Sequence, residues 1–449
     1  MHMDRAMFSK KQIYDIIIPL ILEQLFMAAI GMFDIVMVSG IGENAISAVS
    51  LVDFINQLIY SVLNALCTGG AIVCSQFLGQ KEKGSARAAV QHMIMLAVCA
   101  GSVLMMAGLA GNGPILRVLY RSIAPEVMSK ARVYFALSSV SWLFIGLFCC
   151  SAATLRVLGY TRISFHTSLC MNVINIGLNA LFIFGLKWGV FGAGLASLIS
   201  RVVVSLFMFR AVLCRQKMLD IGMPWKWKPA RKFFVTVLNC AIPTGLESSI
   251  FYIGRLLVQT VVTEFGTSAI AANAVGLTVT EFLHMPGSGV SIGMITIVGR
   301  CVGADEKKQA RSYARYLIGV VYVSQGILNV IVAILSPWIA DRYHLMPQAK
   351  ELLILMLVTH AVISTIFWPM AFTGASALKA AGDIRYAMIV AVSTMWIFRV
   401  AGSWLLVHLV PQWGVLSVWY AMYADWIVRA MLEWKRMHGE VWLNKRIQV

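Results

Sequence analysis

Apolar stretches long enough to cross a bilayer recur along the whole of this chain, and no other feature of the sequence limits its fold as tightly. A helix needs about 20 predominantly apolar residues to span the hydrocarbon layer. In lipid, only structures that satisfy their own backbone hydrogen bonds persist. Twelve such stretches are read, at about residues 13–38, 47–78, 89–110, 130–155, 164–185, 190–213, 234–263, 269–299, 313–339, 349–377, 386–409 and 413–433. They explain why 59% of the residues are hydrophobic and only 13% charged. The expected fold class is an all-α polytopic membrane protein. Connections are short throughout, no stretch is long or polar enough for a separate soluble domain, and no low-complexity segment interrupts the pattern. The opening MHMDRAMFSKK runs into the first span without a small-residue cleavage pattern, so that span is expected to be retained.

The spans are not independent of one another. Pro19, Leu22, Glu23, Gly42, Ala45, Ile46 and Ala48 have identical partners 224 residues later, at Pro243, Leu246, Glu247, Gly266, Ala269, Ile270 and Ala272. Gly69 pairs with Gly293 at the same offset, and the turn GQKEKGSAR at 79–87 pairs with GADEKKQAR at 303–311. From 19 to 87 the register holds without a gap, with 14 identities in 69 positions. Further on, TLRVLGYTR at 154–162 resembles ALKAAGDIR at 377–385 at an offset of 223, and the Trp-Gly-Val strings that open at Trp188 and Trp413 match at 225. The chain is therefore read as two copies of a six-helix unit. Because six is even, both copies enter the membrane in the same sense. This predicts twelve transmembrane helices in two parallel six-helix lobes with pseudo-twofold symmetry along the membrane normal. The expected divisions are an N-terminal lobe at 1–213, a basic cytoplasmic linker at 214–232, a C-terminal lobe at 233–433 and a cytoplasmic tail at 434–449.

A net charge of +17 invites a nucleic-acid reading, which the placement of the charges argues against. Of the 37 Lys and Arg residues, span order puts 26 on the side of the N-terminus, 7 on the opposite side and 4 (Arg201, Arg210, Arg255 and Arg399) in or at the ends of spans. That asymmetry is the positive-inside bias, so both termini are expected in the cytoplasm and the protein in the plasma (inner) membrane, with membrane lipid and not nucleic acid as its surroundings. Trp225, Lys226, Trp227 and Lys228 in the linker suit an interfacial anchor. The nine cysteines sit in apolar runs with no disulfide or zinc spacing. No phosphate-binding loop or H-E-x-x-H string occurs, so neither ATP chemistry nor another cofactor is expected.

Against this background the ionisable groups inside spans stand out. A carboxylate at the centre of a spanning helix costs about 2.5–3.5 kcal/mol on insertion scales, and such groups usually face a bundle interior or a water-filled path. Asp34 is the foremost candidate, because a proton or a Na⁺ bound there changes the local charge by one unit and can bias a two-state helix. Glu23, eleven residues earlier, shares its helical face, and Pro19 removes a backbone bond and can act as a bend point. Two other readings stay open: a solvated Asp34 near the outer helix end, and Glu23 as a structural acid bonded between helices. In the second copy, Val258 takes the place of Asp34. Glu247, Arg255 and Glu281 remain there as buried-looking groups, with His284 one turn after Glu281. These four either line a substrate cavity or, for Glu281 and His284, satisfy each other across the turn. The string from Met285 to Gly289 (MPGSG) reads as a mid-span break. In the fifth span, Asn175 and Asn179 are four apart and share a face. They either complete a proton or cation site with Asp34 or, with Asn172, join helices. Asp425 and Arg399 read as a structural pair or a cavity edge.

Taken in order, these strings resemble the multidrug and toxic compound extrusion (MATE) family. The resemblance rests on P-x14-D-x-x-M-V-x-G-x-G in the first span (Pro19, Asp34, Met37, Gly40, Gly42), the A-I-x-A-x-S step, the Q-x-L-G turn at 76–79, A-L-K-A-x-G-D near Gly382 and N-x-x-x-N in the fifth span. It implies secondary active multidrug efflux, in which organic cations and other amphipathic drugs are exchanged for H⁺ or Na⁺ by alternating access of two lobes around a central cavity. By position, Asp34 resembles the family's coupling acid, Pro19 its bend proline, Asn175 and Asn179 the site in the fifth helix, and Ser197 the hydroxyl of the sixth. The chain departs from the family at Asn179, where one branch has an aspartate, and at Phe251 and Trp368, where another branch has acids. The alternative is a lipid-linked oligosaccharide or other lipid flippase of the same superfamily, which Arg201 and Arg255 leave open. A major facilitator transporter would need an Asp-Arg signature after the second span, which is missing. No nucleophile, metal or acid–base constellation suggests an enzyme, and a monomer is expected.

Overall fold

The computed structural model describes residues 6–39, 41–120, 124–214, 219–343 and 345–448, and only the backbone of residues 28–36, 38, 39 and 43. Among the described residues there is no strand. The described residues form twelve helical rods: α1 Lys10–Ser39, α2 Glu43–Gly79, α3 Lys83–Leu119, α4 Pro125–Val157, α5 Thr161–Gly185, α6 Gly189–Cys214, α7 Arg231–Val262, α8 Gly266–Gly303, α9 Lys307–Arg342, α10 Pro347–Ala380, α11 Ile384–Leu409 and α12 Leu416–His438. Nine described stretches are long and apolar enough to cross a membrane, and one of them, Arg231–Gly303, contains both α7 and α8. Rod α12 falls outside that set because Asp425, Arg429 and Glu433 all lie within it. Three rods contain a π-helical turn, at Ala180–Gly185 in α5, Pro369–Gly374 in α10 and Met395–Ala401 in α11.

The repeat is as visible in the backbone as in the sequence. After α2, Lys81 adopts φ 63° and the chain closes with Lys81 N–H donating to Leu78 O at 3.2 Å and Glu82 N–H donating to Phe77 O at 3.0 Å. After α8, 224 residues on, Asp305 adopts φ 60°, with Asp305 N–H on Val302 O at 3.0 Å and Glu306 N–H on Cys301 O at 2.9 Å. Both are the paired bonds that satisfy the last carbonyls of a helix around a left-handed residue. Gly159 and Gly382, at φ 87° and 94°, repeat the device after α4 and α10. Pro125 and Pro347 each open a helix at its first turn, where the missing N–H costs nothing.

Two compact units emerge, one of residues 25–245 and one of residues 1–24 with 246–448. The first, here the N-terminal unit, has a core from α2, α3, α4 and α6, with Leu63, Met93, Phe135 and Met208 fully buried. At Gly69 helix backbones come close, since an added Cβ would lie 2.6 Å from the backbone of Ala241 in α7. The second, the C-terminal unit, packs Ile13, Ile16, Ile17 and Leu20 of α1 against Val290, Met294 and Ile297 of α8. There Gly289 lets Ile21 approach so closely that a Cβ would sit 2.7 Å from its Cα. The string from Met285 to Gly289 is therefore not the break its composition suggests, because α8 runs through it unbroken. Its glycines admit neighbours, Gly287 taking the Trp368 ring and Gly289 the α1 backbone.

Candidate functional site

Polar chemistry in the N-terminal unit gathers where α5 meets α6. Asn175 Nδ2 donates to Ser197 Oγ at 3.1 Å, and Asn179 Nδ2 donates to Asn175 Oδ1 at 3.1 Å. The three residues expected to act together thus form one chain of hydrogen bonds, with Asn175 and Asn179 buried. The π turn of α5 begins at the residue after Asn179, and single π turns inside α-helices recur at functional sites. One turn below Asn175, Asn172 Nδ2 donates to Ser168 O at 3.0 Å and approaches Met27 Sδ of α1 at 3.3 Å. Asp34 itself lies in the helical backbone of α1, and its side chain is outside the described residues. Pro19 sits inside an unbroken α1, as Pro243 does inside α7.

A second network in this unit was not anticipated from sequence. Asn56 Nδ2 donates to Asp53 Oδ1 at 3.1 Å and to Ser138 Oγ at 3.3 Å, Tyr134 Oη donates to Asp53 Oδ1 at 3.4 Å, and Trp142 Nε1 donates to Asn56 Oδ1 at 2.9 Å. Arg201 donates from Nη1 to Ser141 Oγ at 2.7 Å. Asp53 in the string LVDFINQ was the available signal, an acid inside an apolar run like that of Asp34.

The C-terminal unit gives its candidate groups defined neighbours. Glu247 forms a half-buried ion pair with Lys379 of α10 at 2.7 Å. Glu281 bonds Arg255 at 3.0 Å, not His284. His284 instead lies flat on Trp368, centroids 4.6 Å apart and planes 5° from parallel, and 5.2 Å from His360. His360 stands edge-on to Trp419 and Trp426, and among the described residues neither of its ring nitrogens has a hydrogen-bond partner. A stacked ring thus occupies the Trp368 position. Asp425 makes its direct ion pair with Arg429, one turn away on α12, at 3.2 Å, while its charge still attracts the Arg399 guanidinium. Arg429 is only 3% exposed, with Phe372 4.8 Å from its guanidinium. The next turn adds Glu433, fully buried, with no hydrogen-bond partner on either carboxyl oxygen among the described residues.

Arg399 is the outlier of the unit. It is 7% exposed, in the π turn of α11, with no carboxylate within 4.0 Å among the described residues. Its Nη2 reaches Met422 Sδ at 3.0 Å, its guanidinium lies 5.7 Å from the Phe251 ring, and its Nε has no partner. A cation–π contact contributes about 0.5–2 kcal/mol. Placing an arginine at the centre of a membrane helix costs about 2.5 kcal/mol or more. The attraction of Asp425 adds to these contacts in offsetting that cost.

Comparison with known proteins agrees with this architecture. The MatE family pattern matches residues 19–181 and 243–405, one match in each copy of the repeat. "Uncharacterized transporter YisQ" of Bacillus subtilis is 23% identical over 95% of this chain and 94% of its own length. "Probable multidrug resistance protein NorM" of Thermotoga maritima is 24% identical over 94% and 91%. Among solved structures, the outward-facing conformation of a multidrug resistance MATE family transporter has a TM-score of 0.89 at 20% identity, covering 98% of this chain and 97% of that one. A transporter of the MOP superfamily from Pyrococcus furiosus, described as having a binding pocket of reverse polarity, has a TM-score of 0.88 at 21% identity over 96% and 95%. With its twelve helical rods and a family match in both halves, the chain belongs to the MatE family of membrane transporters.

Proposed function

We propose that this transporter exports amphipathic small molecules, organic cations among them, across the plasma membrane in exchange for H⁺ or Na⁺. The two six-helix lobes alternate access, both termini lie in the cytoplasm, and the protein acts as a monomer. The observation that carries the reading is the match of the family pattern to both halves of the chain, together with relatives named for multidrug resistance along nearly its full length.

The coupling site proposed is Asp34 with Asn175, Asn179 and Ser197. Met27 of α1 meets Asn172 of α5, and positions 34 and 179 each lie seven residues further on in helices that enter the membrane in the same sense. Seven residues are close to two full turns, and this shared register supports grouping Asp34 with Asn179. The amides and the serine supply neutral oxygens, which suit either a bound Na⁺ or the hydrogen bonds that hold a protonated carboxyl. Pro19 and Pro243 leave α1 and α7 each short of one backbone bond, at matching positions of the two copies.

Purified protein in liposomes, with a proton or a sodium gradient imposed separately, tests this reading by efflux of ethidium. One gradient should drive efflux and the other should not, and Asn179→Ala should slow it about tenfold, equivalent to about 1.4 kcal/mol. Efflux indifferent to both gradients would remove the antiport mechanism. A lipid flippase is the second reading, kept open by Arg201, which bonds Ser141 Oγ inside the N-terminal unit, and movement of a labelled anionic lipid across the bilayer in place of the dye would support it.

A further inference from the structure

We propose that the connection between α6 and α7 is a binding surface for anionic phospholipid, in which Trp225 enters the headgroup layer and Lys226 and Lys228 hold the negative charge. The inference concerns the leaflet this connection faces and not the transported molecule. Its depth is set by α3. The apolar run of that helix begins at about residue 89, so Gln91 and His92 stand where it enters the hydrocarbon layer. Gln91 Nε2 donates to Ile221 O at 2.6 Å, and Ala230 N–H donates to His92 Nε2 at 2.8 Å. The connection is thus pinned at both ends within a side chain's reach of that boundary, and residues 222–229 run between the two pins at headgroup depth.

Inward-turned groups fix what the connection presents outward. Leu219 and Ile221 are buried, Gly222 adopts φ 67° with its N–H on Asp220 Oδ1 at 3.1 Å, and Trp227 ties its indole back, Nε1 donating to Ile221 O at 3.0 Å. Trp225 does the reverse. It sits at the centre of the 3-10 turn Pro224–Lys226 and is 77% exposed, with Met223 exposed beside it. Such a ring left in water gains nothing from its apolar area, whereas tryptophan is enriched at the membrane–water interface. Lys226 and Lys228 are exposed on either side of Trp227, and Arg231 and Lys232 follow, also exposed, at the start of α7. Among the described residues none of these four cations is in an ion pair. The one acid between 219 and 232, Asp220, lies 4.0 Å from Arg87 of α3. Each free cation is drawn to an anionic membrane surface, and the attraction falls off within a Debye length. Charge alone would suit any anion in solution. The ring beside it selects an anion that carries acyl chains.

Quenching of tryptophan fluorescence by lipids brominated high on their acyl chains tests this at the residue itself. Purified protein is placed in phosphatidylcholine vesicles in which a minor share of the lipid is brominated, either as anionic phosphatidylglycerol or as zwitterionic phosphatidylcholine. The signal of Trp225 is the difference between each protein and its Trp225→Phe counterpart. In the wild type, brominated phosphatidylglycerol should quench Trp225 about threefold more than brominated phosphatidylcholine does. Lys226→Gln with Lys228→Gln should bring the two lipids close to parity, while brominated phosphatidylcholine still quenches Trp225, which reports that the ring is in place and the variant folded. Should that variant fail to fold, the wild type in high salt decides, because screening weakens the attraction of exposed charges without any substitution and should bring the same parity. Equal quenching by the two lipids in the wild type would overturn the anionic surface, and a Trp225 that neither lipid quenches would overturn the contact with lipid altogether. A preference for phosphatidylglycerol kept in full by the double variant, or by the wild type in high salt, would overturn the role of Lys226 and Lys228.

Discussion

Glu247 and Lys379 show how a buried charge is made tolerable in this protein. The carboxylate takes the ammonium at 2.7 Å with each side chain about one-sixth exposed, so neither is fully hydrated nor alone. Removing one partner of such a pair leaves the other charge uncompensated, which costs about 3–5 kcal/mol in buried settings. Lys379→Met should therefore lower the thermal unfolding midpoint in detergent markedly, and Lys379→Met with Glu247→Gln should recover most of the loss. A double variant as unstable as the single one would show that the lysine acts through packing. Which acid meets which base was not legible in the sequence. Glu247 and Lys379 are 132 residues apart, and the ALKAAGD string identified a turn without revealing where its lysine points. His360 escaped notice for the same reason, although a lone histidine in an apolar span is itself a signal. Asp425 and Arg429, four apart on one helix, are a pair that local spacing could have suggested.

At the scale of the element, glycines decide how closely helices approach and left-handed residues decide how they stop. Gly289→Val should cost about 1–3 kcal/mol, since its Cβ would meet the backbone of Ile21 at 2.7 Å and no flexible side chain is there to yield. Gly84→Ala is the control, with nothing within 4 Å of the new atom. Its unfolding midpoint should stay equal to, or slightly above, that of the wild type, because alanine is the better helix former. Equal losses in both variants would contradict the close-approach account. Lys81 holds φ 63° in a turn where many helices use glycine. A side chain in that conformation costs about 1 kcal/mol or more, so Lys81→Gly should raise stability by up to that amount in the same melt. The turns were readable in advance because the repeat places Lys81 and Asp305 at one offset, and the structure gives both the same backbone. The string from Met285 to Gly289 was misread because local composition signals flexibility equally well when a neighbouring ring or helix fills the space.

For the whole molecule, the doubled architecture follows from sequence through two simple quantities, the period of apolar spans and the constant offset of identities. The polar chemistry is where the copies part. In the second copy Val258 takes the place of Asp34, amides and a serine join α5 to α6 in the N-terminal unit, and ion pairs with stacked aromatic rings fill the C-terminal one. Shape is set by many small residues that must all fit, so it persists through divergence, whereas function rests on a few groups that can change singly. That asymmetry is why ion coupling is proposed for the N-terminal unit, with Asp34 as its acid. The direct test is gradient-driven ethidium efflux from liposomes by the wild type and by Asp34→Asn, which removes the titratable charge and keeps the shape. The account predicts efflux driven by one ion gradient in the wild type and abolished in Asp34→Asn, with ethidium binding in detergent retained. Efflux by Asp34→Asn at the wild-type rate would contradict it and move the coupling charge elsewhere in the chain.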